Sequence, residues 1–377
     1  MIRETRLYPI LKWAGGKEQE LKYIHPAIPA SFNRYFEPFV GGGAVFFSIN
    51  SDKMFINDKS QELIDLYQAV ARQDKVFLKT LKEISYNWKL IENIIQNNQK
   101  EFIKIYLDFS NNIISSQNLK NWIISFVLAH SAEFNGMFDC TFNANIENFV
   151  KEINKNLFNK INRMKKIECE KGKLPDKDIL DNIEASLKSA FYMHFRHLYN
   201  NIKKYNIKKS FATAIFFFIR NFTYSGMFRY NTKGEFNVPY GGIGYNKKNI
   251  DKKIDYLSNE ALIKHLNNTQ IESLDFYNFL IKYKPNQNDF IFLDPPYDSK
   301  FSTYAQNDFN QEDQERLAEY LIKQCKAKWL MIIKNTEFIY SLYNNPKIKI
   351  STFDKQYLVN FQNRNDKKAE HLILKNY

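Results

Sequence analysis

The sequence has few cysteines, no long apolar run and no histidine cluster. Cys140, Cys169 and Cys325 are odd in number and far apart, so neither a disulfide framework nor a metal site is indicated. The longest apolar run, residues 211–219, is too short to cross a bilayer, and residues 1–6 contain no apolar signal core. We therefore expect a cytoplasmic monomer that binds no metal and no membrane.

Acidic residues are outnumbered by basic ones. Lys and Arg total 54 against 41 Asp and Glu, which gives a net charge of +13. Basic side chains are the groups that contact phosphates, so this balance suits a polyanionic partner. An AT-rich coding bias, which favours Lys, Asn and Ile, would produce the same excess. Charge alone leaves both explanations open.

A short apolar segment ends in a proline-rich turn. Residues 291–293 are predicted to form a buried strand, followed at once by Asp294, Pro295, Pro296 and Tyr297. Ligands of open α/β sheets bind just beyond the carboxyl ends of strands. The Asp294 carboxylate and the Pro295 carbonyl can accept both hydrogens of an exocyclic amine, which makes its lone pair nucleophilic. Tyr297 offers a stacking face, although a simple strand-to-turn junction is the alternative.

The first glycine turn lies near the amino terminus, between Trp13 and Lys17. Two glycines let the backbone pass close to a ligand. Trp13 can stack on an aromatic ring, and Lys17 can meet a carboxylate. Because glycine turns flanked by lysines are common, this segment alone decides little.

A second glycine turn, at 41–43, follows a predicted strand over residues 34–40 and precedes a predicted helix over residues 44–49. It lacks the G-x-G-x-x-G spacing of dinucleotide-binding proteins. Glu37 would repel a pyrophosphate and attract a cationic ammonium or sulfonium. Asp58, at the end of the next predicted strand, is placed to bind ribose hydroxyls.

These features point to one cofactor, S-adenosylmethionine. The chain offers a lysine for the cofactor carboxylate, an acid for its ribose and a glycine turn without diphosphate features. With an amine-binding turn at Asp294 downstream, the predicted reaction is methylation of an amino group.

Four motifs occur in a fixed order: Lys-Trp-Ala-Gly-Gly-Lys at 12–17, Glu-Pro-Phe-Val-Gly-Gly-Gly at 37–43, Tyr-Ser-Gly-Met-Phe-Arg-Tyr-Asn at 224–231 and Asp-Pro-Pro-Tyr at 294–297. In this order the chain resembles the Dam-type, D12 class, of DNA adenine-N6 methyltransferases. The resemblance implies an α/β, Rossmann-like S-adenosylmethionine-dependent methyltransferase sheet of seven strands. It also implies an inserted, mostly helical target recognition domain.

The resemblance adds Asp275 and Phe276 to the cofactor site, flanking the cofactor adenine through its amine and its ring face. A plain strand-to-helix cap is the alternative for these two. The predicted catalytic residues are Asp294, Pro295, Pro296 and Tyr297. The predicted cofactor residues are Trp13, Lys17, Glu37, Phe39, Gly41, Gly43, Asp58, Asp275, Phe276 and Asp294.

The same comparison indicates which residues meet DNA. We expect Arg229 to read a guanine by a bidentate contact and Tyr224 to wedge beside the flipped base. An Arg–carboxylate pair and a core tyrosine are the alternatives. The predicted DNA contacts are Lys12, Tyr224, Ser225, Met227, Arg229, Asn231 and Pro239.

We expect a methyltransferase catalytic domain in residues 1–78 and 260–377. A target recognition domain with an enlarged helical insert should occupy residues 79–259. Within these domains we predict a buried helix at 121–130, a helix at 211–222 and a helix at 311–325. The last two predicted strands, 348–353 and 369–374, are expected to be a closing pair of edge strands.

The predicted enzyme is therefore an adenine-specific DNA methyltransferase that flips its base out of the duplex. Methylation of cytosine N4, RNA adenine or a protein glutamine stays open, although Asp294 at the first motif position favours adenine and the inserted recognition region favours duplex DNA over RNA. A DNA-binding protein on a decayed methyltransferase fold is the non-enzymatic alternative. Whether the enzyme is solitary, phage-borne or paired genetically with a restriction endonuclease is left open.

Overall fold

The computed structural model describes residues 7–13, 15–135, 145–297, 309–356 and 368–377. The chain divides into two compact units, Met1–Gln73 with Leu257–Tyr377, and Asp74–Tyr256. The strands are β1 Tyr35–Glu37, β2 Met54–Asn57, β3 Thr269–Glu272, β4 Phe290–Leu293, β5 Lys328–Lys334, β6 Lys349–Gln356 and β7 Lys368–Lys375. The α-helices are α1 Leu21–Ile24, α2 Gln61–Ala71, α3 Lys75–Asn97, α4 Gln99–Ser110, α5 Ser116–Ala129, α6 Ser131–Asn135, α7 Ile146–Lys171, α8 Asp176–Asn200, α9 Lys209–Phe222, α10 Asp251–Leu257, α11 Glu260–Asn267, α12 Phe276–Tyr283, α13 Gln311–Glu319 and α14 Glu337–Tyr343.

The first unit is built on a seven-stranded sheet in the order β3-β2-β1-β4-β5-β7-β6. Strands β1 to β5 pair in parallel, whereas β7 runs antiparallel to both β5 and β6. This arrangement confirms the predicted methyltransferase fold. The strand order reverses between β1 and β4, and such switch points are where open α/β sheets bind ligands.

The centre of this sheet is apolar on both faces. All four residues of β4 are buried, as expected for a parallel strand covered on both sides. Arg34, just before β1, makes a two-pronged ion pair with the fully buried Asp289, with Nη2 2.6 Å from Oδ2. A planar guanidinium matches a carboxylate in this geometry, so the pair locks the starts of the two strands that flank the switch point.

Three sequence predictions about elements need correction. Residues 44–49 form only a 3₁₀ turn, Phe46–Ser48, because the backbone becomes extended at Ile49, with φ -92° and ψ 145°, on its way to β2. The helix at 311–325 is α-helical only to Glu319 and continues as a π-helical turn, Tyr320–Gln324. The closing strands are not both edges, since β7 lies between β5 and β6.

The second unit is helical. The predicted helix at 211–222 is confirmed as α9, whose residues from Phe211 onward are nearly all buried. The segment 121–130 belongs to α5, but it is amphipathic and not buried all round, because Ile124 and Leu128 are 48% and 67% exposed. Lys188 of α8 is fully buried and pairs with Glu92 and Glu184, which satisfies its charge inside the helical core.

Within the described ranges, no helix has both the length and the apolar character needed to cross a membrane. No group of His, Cys, Asp and Glu in the same ranges is arranged to hold a metal ion.

We predict that Lys284→Gly stabilises the first unit. Lys284 ends α12 in the left-handed conformation, at φ 46° and ψ 68°, and its side chain is exposed. An L-residue there costs about 1 kcal/mol that glycine avoids. Urea unfolding should therefore give about 1 kcal/mol more stability. Asn278→Gly, an exposed change inside the same helix, is the control and should destabilise; equal effects at both positions would contradict the prediction.

Candidate active site

The predicted site residues of the first unit follow the carboxyl ends of neighbouring strands. Glu37 ends β1, Asp58 follows β2, Asp275 follows β3 and Asp294 follows β4. Because these strands are parallel neighbours in the order β3-β2-β1-β4, all four acids lie along one edge of the sheet. Glu37 and Asp294 flank the switch point itself.

A hydrogen-bonded cluster centres on the ammonium of Lys17. Its Nζ lies 2.7 Å from Asp294 Oδ2, 2.8 Å from the Gly15 carbonyl oxygen and 3.2 Å from Tyr297 Oη. Lys17 is only 3% exposed. The first motif and the Asp-Pro-Pro-Tyr motif, predicted separately, therefore meet in one place.

Two ionisable groups at this place have shifted pKa values. Burial is the largest single influence and lowers the pKa of Lys17, but the Asp294 carboxylate and Tyr297 together outweigh it and raise the pKa above its ordinary value. Burial raises the pKa of Glu37 well above its usual range, and the negative charge of Asp294 adds to this shift. The Tyr35 hydroxyl donates a hydrogen bond of 2.6 Å to Glu37 Oε2, which works in the opposite direction.

The second glycine turn forms a tight cradle. The Asp58 carboxylate accepts from the Gly41 N–H at 3.0 Å and from the Ser60 N–H at 2.9 Å, so it fixes the turn. A Cβ on Gly41 would lie 2.8 Å from Trp13 Cδ1, and a Cβ on Gly43 would lie 2.8 Å from the Tyr67 hydroxyl. With φ at +47° and +75°, both positions require glycine.

Aromatic rings line the part of the edge after β3. Phe276 packs on Phe39 and Phe309, with centroid distances of 5.5 and 5.7 Å. Asp275 caps α12 by accepting from the Tyr277 N–H, and it also pairs with Arg316 at 3.0 Å. The capping alternative is therefore present in the structure, and the predicted contact of Asp275 with an adenine amine stays a prediction.

Two residues beside the Asp-Pro-Pro-Tyr turn were missed by sequence reasoning. Gln314 of α13 is fully buried and donates to the Pro296 carbonyl at 2.9 Å. His371 of β7 is also fully buried, and its Nε2 lies 3.2 Å from Tyr297 Oη. Both residues lie in elements that were predicted, but no local pattern shows that they contact this turn.

The predicted DNA-reading segment lies in the second unit, after α9. It starts with a 3₁₀ turn, Tyr224–Gly226, and continues as a hairpin in which Tyr230 bridges Phe236 and Thr223 bridges Tyr240. Phe228 is buried beneath it against Phe236, with centroids 4.5 Å apart. The segment is therefore anchored by aromatic side chains.

Several predicted DNA contacts are on the surface of this hairpin. Tyr224, Ser225, Arg229 and Pro239 are exposed, and Met227 and Asn231 are half-buried. Arg229 Nε donates to Asn237 Oδ1 at 3.3 Å. This partner is an amide and not the carboxylate of the alternative prediction. Asn231 closes the hairpin turn by accepting from the N–H groups of Lys233 and Glu235. Lys12, in the first unit, is exposed as well.

The sheet order, with acids and a glycine cradle at the switch point, fits the fold of the α/β methyltransferases. Comparison with known protein families identifies the family to which the chain belongs. The sequence profile of the D12 class N6 adenine-specific DNA methyltransferases matches residues 13–180 and 150–359. The chain belongs to this family, so it is a transferase whose substrate is DNA.

Relatives match along nearly the whole chain. The Type II methyltransferase M.CviBI of Paramecium bursaria Chlorella virus NC1A is 26% identical over 98% of this chain and 99% of its own length. The Type II methyltransferase M1.LlaDCHI of Lactococcus lactis subsp. cremoris is 25% identical over 92% and 89%. The DNA adenine methylase of Haemophilus influenzae is 23% identical over 90% and 84%.

The raised pKa of Glu37 leads to a prediction about stability. Because the folded pKa lies above the unfolded value of about 4.3, the folded chain holds a proton that the unfolded chain has lost, and wild-type stability falls as pH rises through this window. Glu37→Gln removes the titration, and its amide oxygen can still accept from Tyr35. Its stability relative to wild type should therefore increase with pH, by at most about 1.4 kcal/mol per pH unit.

Urea unfolding between about pH 5 and about pH 8 measures this difference. Glu18→Gln, at an exposed position of the same unit, is the control and should follow wild type throughout. A Glu37→Gln difference that stays constant or shrinks with pH would show that Glu37 is not the proton holder.

Proposed function

We propose that this chain transfers a methyl group from S-adenosylmethionine to the N6 amine of adenine within a specific duplex DNA site, with the adenine flipped out of the helix. The observation that supports this proposal most directly is the Asp294 carboxylate at the switch point. Its Oδ2 lies 2.7 Å from Lys17 Nζ, and Tyr297 is close by. Family membership supplies the reaction class, and the exposed hairpin at 224–240 supports site-specific reading.

The residues at the sheet edge fit this cofactor. Its carboxylate matches the Lys17 ammonium, its ribose hydroxyls match the Asp58 carboxylate, and the Gly41 and Gly43 positions, where a Cβ would meet a side chain, keep the second glycine turn compact. We assign the cofactor site to Trp13, Lys17, Glu37, Phe39, Gly41, Gly43, Asp58, Asp275, Phe276 and Asp294. When bound, S-adenosylmethionine supplies an activated methyl group on a sulfonium.

The turn at residues 294–297 then orients the target amine. The Asp294 carboxylate and the Pro295 carbonyl accept its two hydrogens, which localises the nitrogen lone pair. Gln314, by donating to the Pro296 carbonyl at 2.9 Å, holds the backbone of this turn in place. Tyr297 presents its ring to the base. Asp294 acts through position and charge, because the amine proton becomes acidic only once the methyl group has been received.

We assign DNA contacts to the hairpin of the helical unit and to the exposed lysine of the first motif. Flipping an adenine costs a few kcal/mol of unstacking, which contacts of this kind offset. The residues assigned are Lys12, Tyr224, Ser225, Met227, Arg229, Asn231 and Pro239. In this proposal residues 1–78 with 260–377 are the catalytic domain, and residues 79–259 are the target recognition domain.

We also propose that the chain acts as a monomer, with a restriction endonuclease as a genetic partner. The Type II names of two relatives support the second part. A gene for a nuclease that cleaves the unmethylated site, next to the gene for this chain, would test it.

Asp294→Ala should abolish methylation of unmethylated genomic DNA by S-adenosylmethionine. We expect a loss of at least about 100-fold, by analogy with removal of one preorganised polar group from an active site. Glu319→Gln, at a 57% exposed acid of the same unit, is the matched control and should leave the rate unchanged. Single-molecule sequencing of modified bases reads the product and its sequence context.

N6-methyladenine in one recurring site, lost in Asp294→Ala, is the expected result. N4-methylcytosine would refute adenine as the target and keep the amine-binding geometry. Absence of methylation despite bound cofactor would refute DNA methylation, and absence of cofactor binding would refute the enzyme assignment.

Arg229 should set the preference at one base pair. Arg229→Ala removes a bidentate contact worth about 1–3 kcal/mol of discrimination, so we expect methylation of variant sites differing at that position to rise relative to the best site. Arg229→Lys, which keeps the charge without the planar fork, should relax the preference nearly as much. Rates on a library of single-base variants measure both; a site preference unchanged in both variants would rule out Arg229 as the reader.

A further inference from the structure

The hydroxyl of Tyr297 is held from two sides. Lys17 Nζ lies 3.2 Å from Tyr297 Oη, and His371 Nε2 lies 3.2 Å from the same oxygen. The Tyr297 and His371 rings meet edge to face, with centroids 5.5 Å apart and planes inclined by 66°. The tyrosine ring is therefore fixed at its far end as well as through its backbone.

The strand β7 puts His371 in this place. His371 pairs with Lys334 of β5 on one side and with Phe353 of β6 on the other. The imidazole is fully buried, and the Phe353 ring covers it at a centroid distance of 5.5 Å. A buried polar ring costs free energy unless it forms hydrogen bonds, and the bond to Tyr297 offsets that cost.

The chemistry of the three groups sets the direction of one of the bonds. An ammonium can only donate, so Tyr297 Oη accepts from Lys17. Between Tyr297 Oη and His371 Nε2 either atom carries the hydrogen, according to the imidazole tautomer. Because Lys17 also binds Asp294 at 2.7 Å, one line of hydrogen bonds connects the carboxylate, the ammonium, the tyrosine and the imidazole.

We propose that His371 is a positioning residue for methyl transfer. It holds the Tyr297 ring in the orientation in which the target base stacks on that ring. This inference rests on the proposed function. His371 acts through Tyr297 and needs no contact with the base. A ring that rocks about its side-chain bonds would tilt the stacked base and move its amine away from Asp294, and small displacements of a reacting group reduce rates strongly.

A double-mutant cycle tests the proposal. His371→Phe keeps a ring in the same place and removes the hydrogen bond, and Tyr297→Phe removes the hydroxyl that His371 binds. We expect His371→Phe to lower the single-turnover methylation rate by about 5- to 10-fold, the effect of one lost hydrogen bond. In the Tyr297→Phe background the same change should cost less than about twofold.

Rescue and folding controls accompany the cycle. His371→Gln, whose amide can still bond Tyr297 Oη, should recover most of the lost rate. Cofactor affinity and melting temperature are measured for every variant and should stay close to wild type. If phenylalanine does not pack, His371→Met, an apolar and flexible side chain, replaces it in the cycle.

Equal losses in both backgrounds would overturn the proposal, because His371 would then act on stability or by another route. No loss in His371→Phe would overturn it as well. Fluorine NMR of protein containing 3-fluorotyrosine, with the Tyr297 signal identified by its absence in Tyr297→Phe, gives a readout that needs no activity. We expect that signal to shift and broaden in His371→Phe.

The two kinds of failure are distinguishable. Wild-type protein that methylates no adenine would refute the proposed function. A Tyr297 signal that does not change in His371→Phe would refute the positioning role, whatever the activity of the wild-type protein.

Discussion

One buried ammonium holds two motifs of the candidate site together. Lys17 Nζ donates to the Gly15 carbonyl, the Asp294 carboxylate and the Tyr297 hydroxyl. Lys17 and Asp294 are 277 positions apart in the chain. Removing one charge of such a buried pair leaves the other uncompensated, at a cost of about 3–5 kcal/mol. The turn near the amino terminus and the turn after β4 are therefore fixed relative to each other by charge.

The fold could be predicted wherever a local pattern decides it. The apolar run that became β4 and the apolar segment that became α9 form the expected elements because their burial is nearly complete. The pattern failed where packing decides. The segment 44–49 has the composition of a helix start, but the backbone becomes extended at Ile49, so only a 3₁₀ turn forms. The side chain of Ile124 on α5 is exposed. Its exposure depends on which elements pack against this helix, and the apolar run alone does not reveal that.

The site shows the same division between local and distant information. Glu37, Asp58 and Asp294 could be placed together because the carboxyl ends of parallel strands share an edge of the sheet. Gln314 and His371 could not, since each contacts the turn through the packing of a distant element. For His371 the contact depends on β7 lying beside β5. The prediction of a closing pair of edge strands does not specify that β7 lies next to β5, so it cannot place His371 near the turn.

The charges at the switch point favour a ligand with both signs of charge. Lys17 and Asp294 offset each other, whereas the second acid, Glu37, has its pKa raised well above the usual range by burial and by Asp294. One ammonium cannot balance two carboxylates, so the protonated form of Glu37 is favoured. A cationic centre next to Glu37 would favour its ionised form, which links ligand binding to loss of that proton. The methionine part of S-adenosylmethionine combines a carboxylate for Lys17 with a sulfonium and an ammonium, whereas a diphosphate brings only negative charge toward Glu37 and Asp294. The electrostatics of this edge therefore distinguish the proposed cofactor from a dinucleotide, as the missing G-x-G-x-x-G spacing does in the sequence.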